Sequence, residues 1–103
     1  MQPKLIIHGG AGNAIKDAAA LTAIRQALHS IVEAVYAQLQ GGCNALEAVR
    51  EGCRLLEDNP LFNSGTGSVL QSDGQVRMSA GLMNGAAQRF SGLMSVRFST
   101  RLI

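Results

Sequence analysis

The chain has 103 residues, of which 47% are hydrophobic and 16% are charged, and its formal net charge is +2. This apolar fraction excludes a disordered polyampholyte, and the length suffices for one domain but not for two. The basic residues are scattered without interleaved aromatics, which argues against nucleic-acid binding. No apolar run approaches the ~20 residues of a membrane span, and the apolar run near the N-terminus is too short for a signal peptide. We therefore expect a cytoplasmic protein in which the two cysteines, Cys43 and Cys53, stay reduced.

The N-terminal segment predicts a strand that ends in a glycine-rich turn. The apolar run Leu5-Ile6-Ile7 is followed directly by His8-Gly9-Gly10, and such a run favours a buried strand. The glycines would let backbone amides come close to an oxyanion or a phosphate. Their spacing does not fit a dinucleotide-binding fingerprint, and the GxSxG motif that accompanies a lipase-type oxyanion loop is missing. The motif alone therefore favours a plain strand-to-helix turn over a ligand-binding loop.

Two amphipathic helices are predicted next. Asp17 suits the N-cap of the first helix, whose apolar residues recur every three or four positions until the glycine pair at 41–42 ends it. Asn44, with Glu47 three residues on, resembles a capping box for the second helix, and Pro60 marks its end. The predicted buried face of that helix is formed by Leu46, Val49, Cys53 and Leu56, while Glu47, Glu51 and Glu57 are expected on a solvated face.

The remaining sequence predicts strands and turns. Residues 69–78 favour two strands around a turn at 72–74, residues 82–85 end in another turn, and residues 93–98 suit a further strand. The methionines at 78, 83 and 94 are expected to fill a core. The order of a strand, two helices and several strands is typical of a layered α/β domain with one helical layer on a sheet.

The polar segment at 63–68 is dense in hydroxyls and glycines, but it lacks the lysine of a Walker A loop. A Ser or Thr nucleophile needs an adjacent base, and neither His8 nor His29 is near this segment in the sequence. From its residues alone, the segment is a folded loop whose carbonyls need partners. His29 lies beside the apolar stripe of the first helix and is expected to be a partly buried structural residue.

Two segments together resemble the N-terminal part of the plant-type L-asparaginases, which are isoaspartyl peptidases of the N-terminal nucleophile hydrolase superfamily. They are LIIHGGAG at 5–12 and LLEDNPLFNSGTGS at 55–68, and the stretch at 74–85 is similar to the next family signature. The resemblance implies a four-layer αββα sandwich, of which residues 1–103 would be a single incomplete domain with one helical layer and a partial sheet. It also implies hydrolysis of L-asparagine and of β-aspartyl dipeptides by a precursor that cleaves itself into α and β subunits.

The resemblance assigns roles to individual residues. Asn63 matches the asparagine that reaches toward the nucleophile, and His8-Gly9-Gly10 matches a loop beside the active site. The nucleophile of the family is the N-terminal Thr of the β subunit, with its own amine as base, and it would lie beyond Ile103. Thr66 follows a glycine too, but its flanks place it in a loop that binds a structural sodium ion, and no organic cofactor is implied. The carbonyls expected to bind sodium are those of Leu56, Glu57, Asn59, Phe62, Ser64 and Thr66.

The implied partners are the β subunit of the same precursor and a small-molecule substrate, in a dimer of αβ units. From Ser95 to Ile103 the tail departs from the family pattern. Two hypotheses therefore stay open. In the first, the chain is the leading part of an amidohydrolase and is inactive alone. In the second, it is a truncated or frameshifted product without enzymatic function, or a subunit that needs a separate β chain.

Overall fold

The computed structural model describes residues 2–10, 15–62, 75 and 77–97, without the side chains of 95–97. The chain divides into two compact units, Met1–Leu56 and Glu57–Ile103. Its elements are helix α1 (Ala18–Gln40), helix α2 (Ala45–Glu57), strand β1 (Arg77–Asn84) and strand β2 (Arg89–Arg97). Helices and strands thus occur together, as predicted for the α/β class. The strand and turn predicted at 69–74 lie outside the described residues.

Helix α1 begins and faces the core as its sequence predicts. The Asp17 side chain accepts a hydrogen bond of 3.0 Å from the Ala19 amide, so it satisfies one of the free donors of the first turn. Ile31 and Val35 are the buried residues of the apolar stripe, and Val35 is fully enclosed. The stripe therefore orients the helix in the first unit.

The end of α1 is a Schellman motif. The Cys43 amide donates to the Gln38 carbonyl and the Gly42 amide donates to the Leu39 carbonyl, both at 3.1 Å. This pattern requires a left-handed residue just after the helix, and Gly42 has φ 102. The prediction that the glycine pair ends the helix is confirmed, and Gly42 is the member that needs to be glycine.

Helix α2 begins at the predicted cap but buries a different face. The Asn44 side-chain oxygen accepts a hydrogen bond of 2.9 Å from the Glu47 amide. Ala48 and Gly52 are buried, whereas Val49 is exposed, so the predicted buried face is wrong by about one residue position. A Cβ atom placed on Gly52 would lie 3.8 Å from Val35 Cγ2. Gly52 therefore lies beside the Val35 side chain of α1.

The predicted N-terminal strand is not formed. Residues 2–10 have no regular secondary structure, and none of the described residues pairs with Leu5-Ile6-Ile7. Exposure alternates along this segment as in an extended chain, and Ile6 is 93% exposed. The segment is attached to helix α1 by the Tyr36 hydroxyl, which donates a hydrogen bond to the Pro3 carbonyl at 3.1 Å. A strand exists only with a neighbour to share its hydrogen bonds, and apolar patterning alone does not supply one.

Strands β1 and β2 form an antiparallel hairpin. Asn84 pairs with Arg89, and four residues, 85–88, connect the strands. The Asn84 side chain accepts from the Ala87 amide at 3.2 Å, and the Gln88 amide donates to the Gly85 carbonyl at 3.3 Å. Gln88 has φ 53, so this turn places a residue other than glycine in the left-handed region.

The two faces of the hairpin differ in burial. Met78 is buried, as predicted, but Met83 and Met94 are 61% and 84% exposed, so their assignment to a core is wrong. Alternation along a strand sends neighbouring side chains to opposite faces, and among the described side chains of the hairpin Met78 is the one that is buried. The register shifts between Met78 and Ala80, which marks a β-bulge.

An aromatic ring covers a glycine pair on the exposed face. Gly81 lies directly opposite Gly92. Phe90 lies two residues before Gly92 in β2, so its side chain is on the same face of the hairpin. A Cβ atom placed on Gly81 or Gly92 would lie 3.1 Å or 3.2 Å from the Phe90 ring. The ring therefore occupies the space that two side chains would otherwise fill, and it stabilises a part of the strand pair that lacks side chains.

Candidate active-site segments

The His8-Gly9-Gly10 segment forms a local turn. The Gly10 amide donates to His8 Nδ1 at 3.0 Å, and Gly10 has φ 112. No atom lies within 4 Å of a Cβ placed on Gly10, so glycine is required there by the backbone conformation and not by crowding.

This turn determines what the segment can do chemically. The Gly10 amide is already used, which leaves the Gly9 amide as the donor of this pair that a ligand could reach. Because Nδ1 accepts the hydrogen bond, a neutral His8 ring carries its proton on Nε2. His8 and Gly10 are exposed, and the turn is thus a preformed surface loop and not a buried catalytic pair.

The second segment turns sharply after α2. The Phe62 amide donates to the Asn59 carbonyl at 3.3 Å, and the Leu61 amide donates to the Asn59 side-chain oxygen at 2.9 Å. Both bonds bend the chain around Pro60, and Phe62 is buried. The first part of the predicted sodium loop is therefore curled. Asn63, Ser64 and Thr66 lie outside the described residues, so the approach of Asn63 to His8-Gly9-Gly10 and the carbonyls of the other two stay predictions.

Glu57 is buried, although the sequence predicted a solvated position. It is 5% exposed, and its Oε2 atom has no hydrogen-bond partner among the described residues. Arg54, one helical turn earlier, binds both oxygens of Glu51, with 2.8 Å between Nε and Oε2 and a second bond from Nη2 to Oε1. Glu57 thus differs from Glu47, which is exposed on the same helix.

One sequence signal could have revealed the burial of Glu57. It lies four positions after Cys53 and one after Leu56, on the edge of the predicted apolar stripe. Charged residues are seldom fully buried. The prediction therefore followed the charge of Glu57 and not its position in the apolar repeat. Periodicity was the better guide here.

Among the described residues, neither histidine pairs with a hydroxyl group. The Thr22 hydroxyl donates to the Ala18 carbonyl, and His29 pairs with Glu33 at 2.9 Å on an exposed helix surface. The expectation that His29 is partly buried is therefore wrong, because its side chain is 72% exposed. In the described part of the chain, no three His, Cys, Asp or Glu side chains are grouped closely enough to hold a metal ion.

The exposed face of the hairpin holds a depression of about 490 Å³. Its lining includes Ser79, Gly81, Phe90, Gly92 and Met94, and no acidic or basic side chain contributes to it. The depression offers apolar contact area but no acid, base or charge clamp, so it does not form a catalytic site.

A sequence model of the family described as Asparaginase matches residues 1–101, almost the whole chain. The chain belongs to this asparaginase family. The match also covers residues 95–101, where the tail was predicted to be atypical. No helix among the described residues combines the length and the apolar character that crossing a bilayer requires.

Individual family proteins are similar over most of the chain. It is 62% identical over 96 residues to an isoaspartyl peptidase/L-asparaginase of Nostoc sp., covering 93% of the chain and 30% of that relative. The corresponding protein of Synechocystis sp. is 60% identical over 96 residues, again 93% of the chain, and 29% of its own length is covered. A plant-type L-asparaginase of Pyrococcus abyssi is 48% identical over 79% of the chain and 26% of its own length. The chain thus spans about 30% of the length of the curated relatives.

Proposed function

We propose that the chain is the leading part of the α subunit of an amidohydrolase that acts on L-asparagine and β-aspartyl dipeptides, and that it is inactive alone. The observation that carries this proposal is the 62% identity to a protein named isoaspartyl peptidase/L-asparaginase, which extends over 93% of the chain. The rest of the enzyme, including the β subunit, would complete an αββα sandwich. We place the assembled protein in the cytoplasm as a dimer of αβ units.

The described residues support the inactivity of the isolated chain. Amide hydrolysis by a threonine nucleophile needs a hydroxyl, a base, an oxyanion hole and a clamp for the charged ends of the substrate. Among the described residues, neither His8 nor His29 is bonded to a hydroxyl, and the Gly10 amide is already used. The contribution of this chain is therefore support: Asn63 beside the nucleophile and the His8-Gly9-Gly10 turn at the edge of the site.

In the proposed reaction, the threonine hydroxyl of the β subunit attacks the side-chain amide carbon, and its own amine accepts the proton. The amine then passes this proton to the leaving nitrogen, so that ammonia departs as the C–N bond breaks and an ester to the enzyme forms, which water hydrolyses to aspartate. Asn63 holds the nucleophile through a hydrogen bond, and the turn at 8–10 lies beside the active site.

The sodium site is also a proposal. Carbonyl oxygens are ligands that hard cations prefer, and the curled turn at Asn59 to Phe62 supports the idea that the carbonyls of this loop converge. The ion would have a structural role, holding the loop that carries Asn63. At the start of this loop, the side-chain oxygen Oε2 of Glu57 is buried and has no hydrogen-bond partner among the described residues.

A chimeric protein tests the proposed function. Residues 1–94 are joined to the part of the Nostoc relative that follows the matching region, and ammonia release from L-asparagine is measured. We expect self-cleavage and turnover by the chimera and no release above a buffer blank by the chain alone. A chimera that folds but neither cleaves itself nor turns over would contradict the proposal.

Two controls sharpen this experiment. Thr66→Ala in the chimera should keep most of the activity, because Thr66 is assigned to the sodium loop. Turnover by the chain alone that is lost on Thr66→Ala would instead make Thr66 the nucleophile. The nucleotide sequence just past codon 95 tests the alternative hypothesis: a family continuation in another reading frame would identify a frameshifted product.

A further inference from the structure

The acceptor in the turn at 8–10 is a side chain that can gain a proton. The Gly10 amide donates to His8 Nδ1 at 3.0 Å, so the side chain binds the backbone two positions further along the chain. Asn and Asp side chains close the same kind of turn through an oxygen atom. An imidazole nitrogen accepts a hydrogen bond only while it is unprotonated, because both ring nitrogens of the charged form are donors.

Two other turns of this chain contain the oxygen version of the bond. The Ala19 amide donates to Asp17 Oδ1 at 3.0 Å, and the Leu61 amide donates to Asn59 Oδ1 at 2.9 Å, in both cases from two positions further along the chain. Carboxylates and side-chain amides keep these acceptor oxygens at neutral and mildly acidic pH. Of the three acceptor groups, the histidine ring is the one that ordinarily gains a proton between about pH 8 and pH 5.

The ring of His8 titrates without a charged partner in the described part of the chain, where it forms no ion pair, and the residue is exposed to solvent. Lys4 is the other charged residue of the segment, and four extended residues separate it from His8 by about 13 Å. In helix α1, to which the segment is attached, Glu33 pairs with His29 at 2.9 Å. Residues 11–14, which follow the turn, include no ionisable side chain.

The backbone at Gly10 depends on this bond. Its φ is 112, and no atom lies within 4 Å of a Cβ placed on it, so packing on that side does not hold the conformation. Glycine adopts positive and negative φ with similar ease. Among the described residues, the bond to His8 is therefore the polar contact that fixes the Gly10 amide, and its loss would free the amide to donate elsewhere.

We propose that His8 is a positioning residue that makes the glycine turn sensitive to pH: the neutral ring holds the Gly10 amide, and protonation of Nδ1 releases it. One proton is taken up from the solvent, and the hydrogen bond is lost as the pH falls. The acidic form then offers the amides of both Gly9 and Gly10 beside a positively charged ring. This inference does not depend on the proposed function, because the bond lies within three consecutive residues.

Hydrogen exchange of the Gly10 amide with water tests this proposal in the 103-residue chain. NMR measures the exchange rate at pH 8 and pH 5, and comparison with an unstructured peptide at the same pH gives a protection factor. His8→Asn supplies a permanent acceptor, His8→Phe supplies a ring without an acceptor, and His29→Gln removes the other histidine. The Gly42 amide is the internal control, because its acceptor is the Leu39 carbonyl, which does not titrate.

We expect the protection factor of Gly10 in the wild type to fall about fivefold between pH 8 and pH 5, which corresponds to the net contribution of one hydrogen bond. His29→Gln should show the same fall. His8→Asn should keep the higher protection at both pH values, and His8→Phe should have the lower protection at both. The protection factor of Gly42 should stay constant in the wild type and in every variant.

Four results would overturn the proposal. Gly10 would not be held by His8 if it lacked protection at pH 8 or kept wild-type protection in His8→Phe. Equal wild-type protection at both pH values would exclude a proton-dependent bond. A pH response that persists in His8→Asn, or that disappears in His29→Gln, would assign the titration to another group. A parallel loss of protection at Gly42 would show that the chain unfolds as a whole in acid and that the turn is not released locally.

Discussion

Asp17 contributes a side-chain hydrogen bond to the start of α1 that its neighbours cannot replace. The bond to the Ala19 amide measures 3.0 Å. We expect Asp17→Ala to lower the free energy of unfolding by about 0.5–2 kcal/mol, because an N-terminal donor loses its acceptor. Asp17→Asn is the matched control and should retain most of the stability. Urea unfolding followed by circular dichroism at 222 nm measures both, and equal losses in the two variants would contradict a capping role.

Tyr36 holds the N-terminal segment through its hydroxyl. The bond to the Pro3 carbonyl joins residues that are 33 positions apart in the sequence. We expect Tyr36→Phe to cost about 1 kcal/mol and to speed amide hydrogen exchange at residues 4–10. Exchange in α2 should stay unchanged and serves as the internal control. If residues 4–10 exchange at the wild-type rate in Tyr36→Phe, the hydroxyl does not hold them.

Residue-scale prediction worked where the physical cause is local. The caps Asp17 and Asn44 are recognisable because a short polar side chain reaches the next turn of its own helix. Glu57 was missed because its charge was given more weight than its position on the edge of the apolar stripe. Gln88, in the left-handed region, is not a residue type that the sequence marks for such a turn.

At the scale of elements, the two glycines after α1 are not equivalent. Gly42 has positive φ and no atom within 4 Å of a Cβ placed on it, whereas Gly41 has φ −77 in the right-handed region. We expect Gly42→Ala to destabilise by about 1 kcal/mol through backbone strain alone. Gly41→Ala should be neutral or slightly stabilising, since its Cβ would lie 3.4 Å from the Ala37 carbonyl oxygen. Thermal unfolding of the two variants side by side decides the matter, and the reverse order would refute the assignment.

Helices form their backbone hydrogen bonds within one segment, whereas strands need a second segment to pair with. Helices α1 and α2 satisfy their own backbone hydrogen bonds, so periodicity and caps predicted their bounds closely. The first strand could not be predicted in the same way, because Leu5-Ile6-Ile7 needs a neighbouring strand that no local pattern identifies. The buried face of α2 was missed in part, because its buried residues Ala48 and Gly52 are small and contribute little to an apolar pattern.

At the scale of the whole molecule, the hairpin exposes an apolar surface. Met83, Phe90 and Met94 are all more than half exposed. Surfaces of this kind cause association when nothing covers them. We expect the isolated chain to self-associate with increasing concentration, and Met83→Lys combined with Met94→Lys to reduce this. Sedimentation velocity measures the effect, with Ala23→Lys on the exposed side of α1 as the control. Unchanged association in the double variant would exclude this face as the cause.

The candidate site was predicted from family motifs and not from physical patterning. His8-Gly9-Gly10 alone suited several kinds of loop, and only its combination with the segment at 55–68 pointed to the asparaginases. The family match confirms that combination. The roles proposed for Asn63 and for the sodium ligands would depend on contacts with distant residues, so they stay predictions.

The Phe90 ring over Gly81 and Gly92 has a consequence for how this family can vary. A methyl group at either glycine would lie closer to the ring than side chains normally pack, at 3.1 Å or 3.2 Å. Acceptable sequences at the three positions are therefore coupled: a larger residue at 81 or 92 should be tolerated only with a smaller or reoriented residue at 90. In a library randomised at these three positions, the clones that fold should show this exchange as covariation.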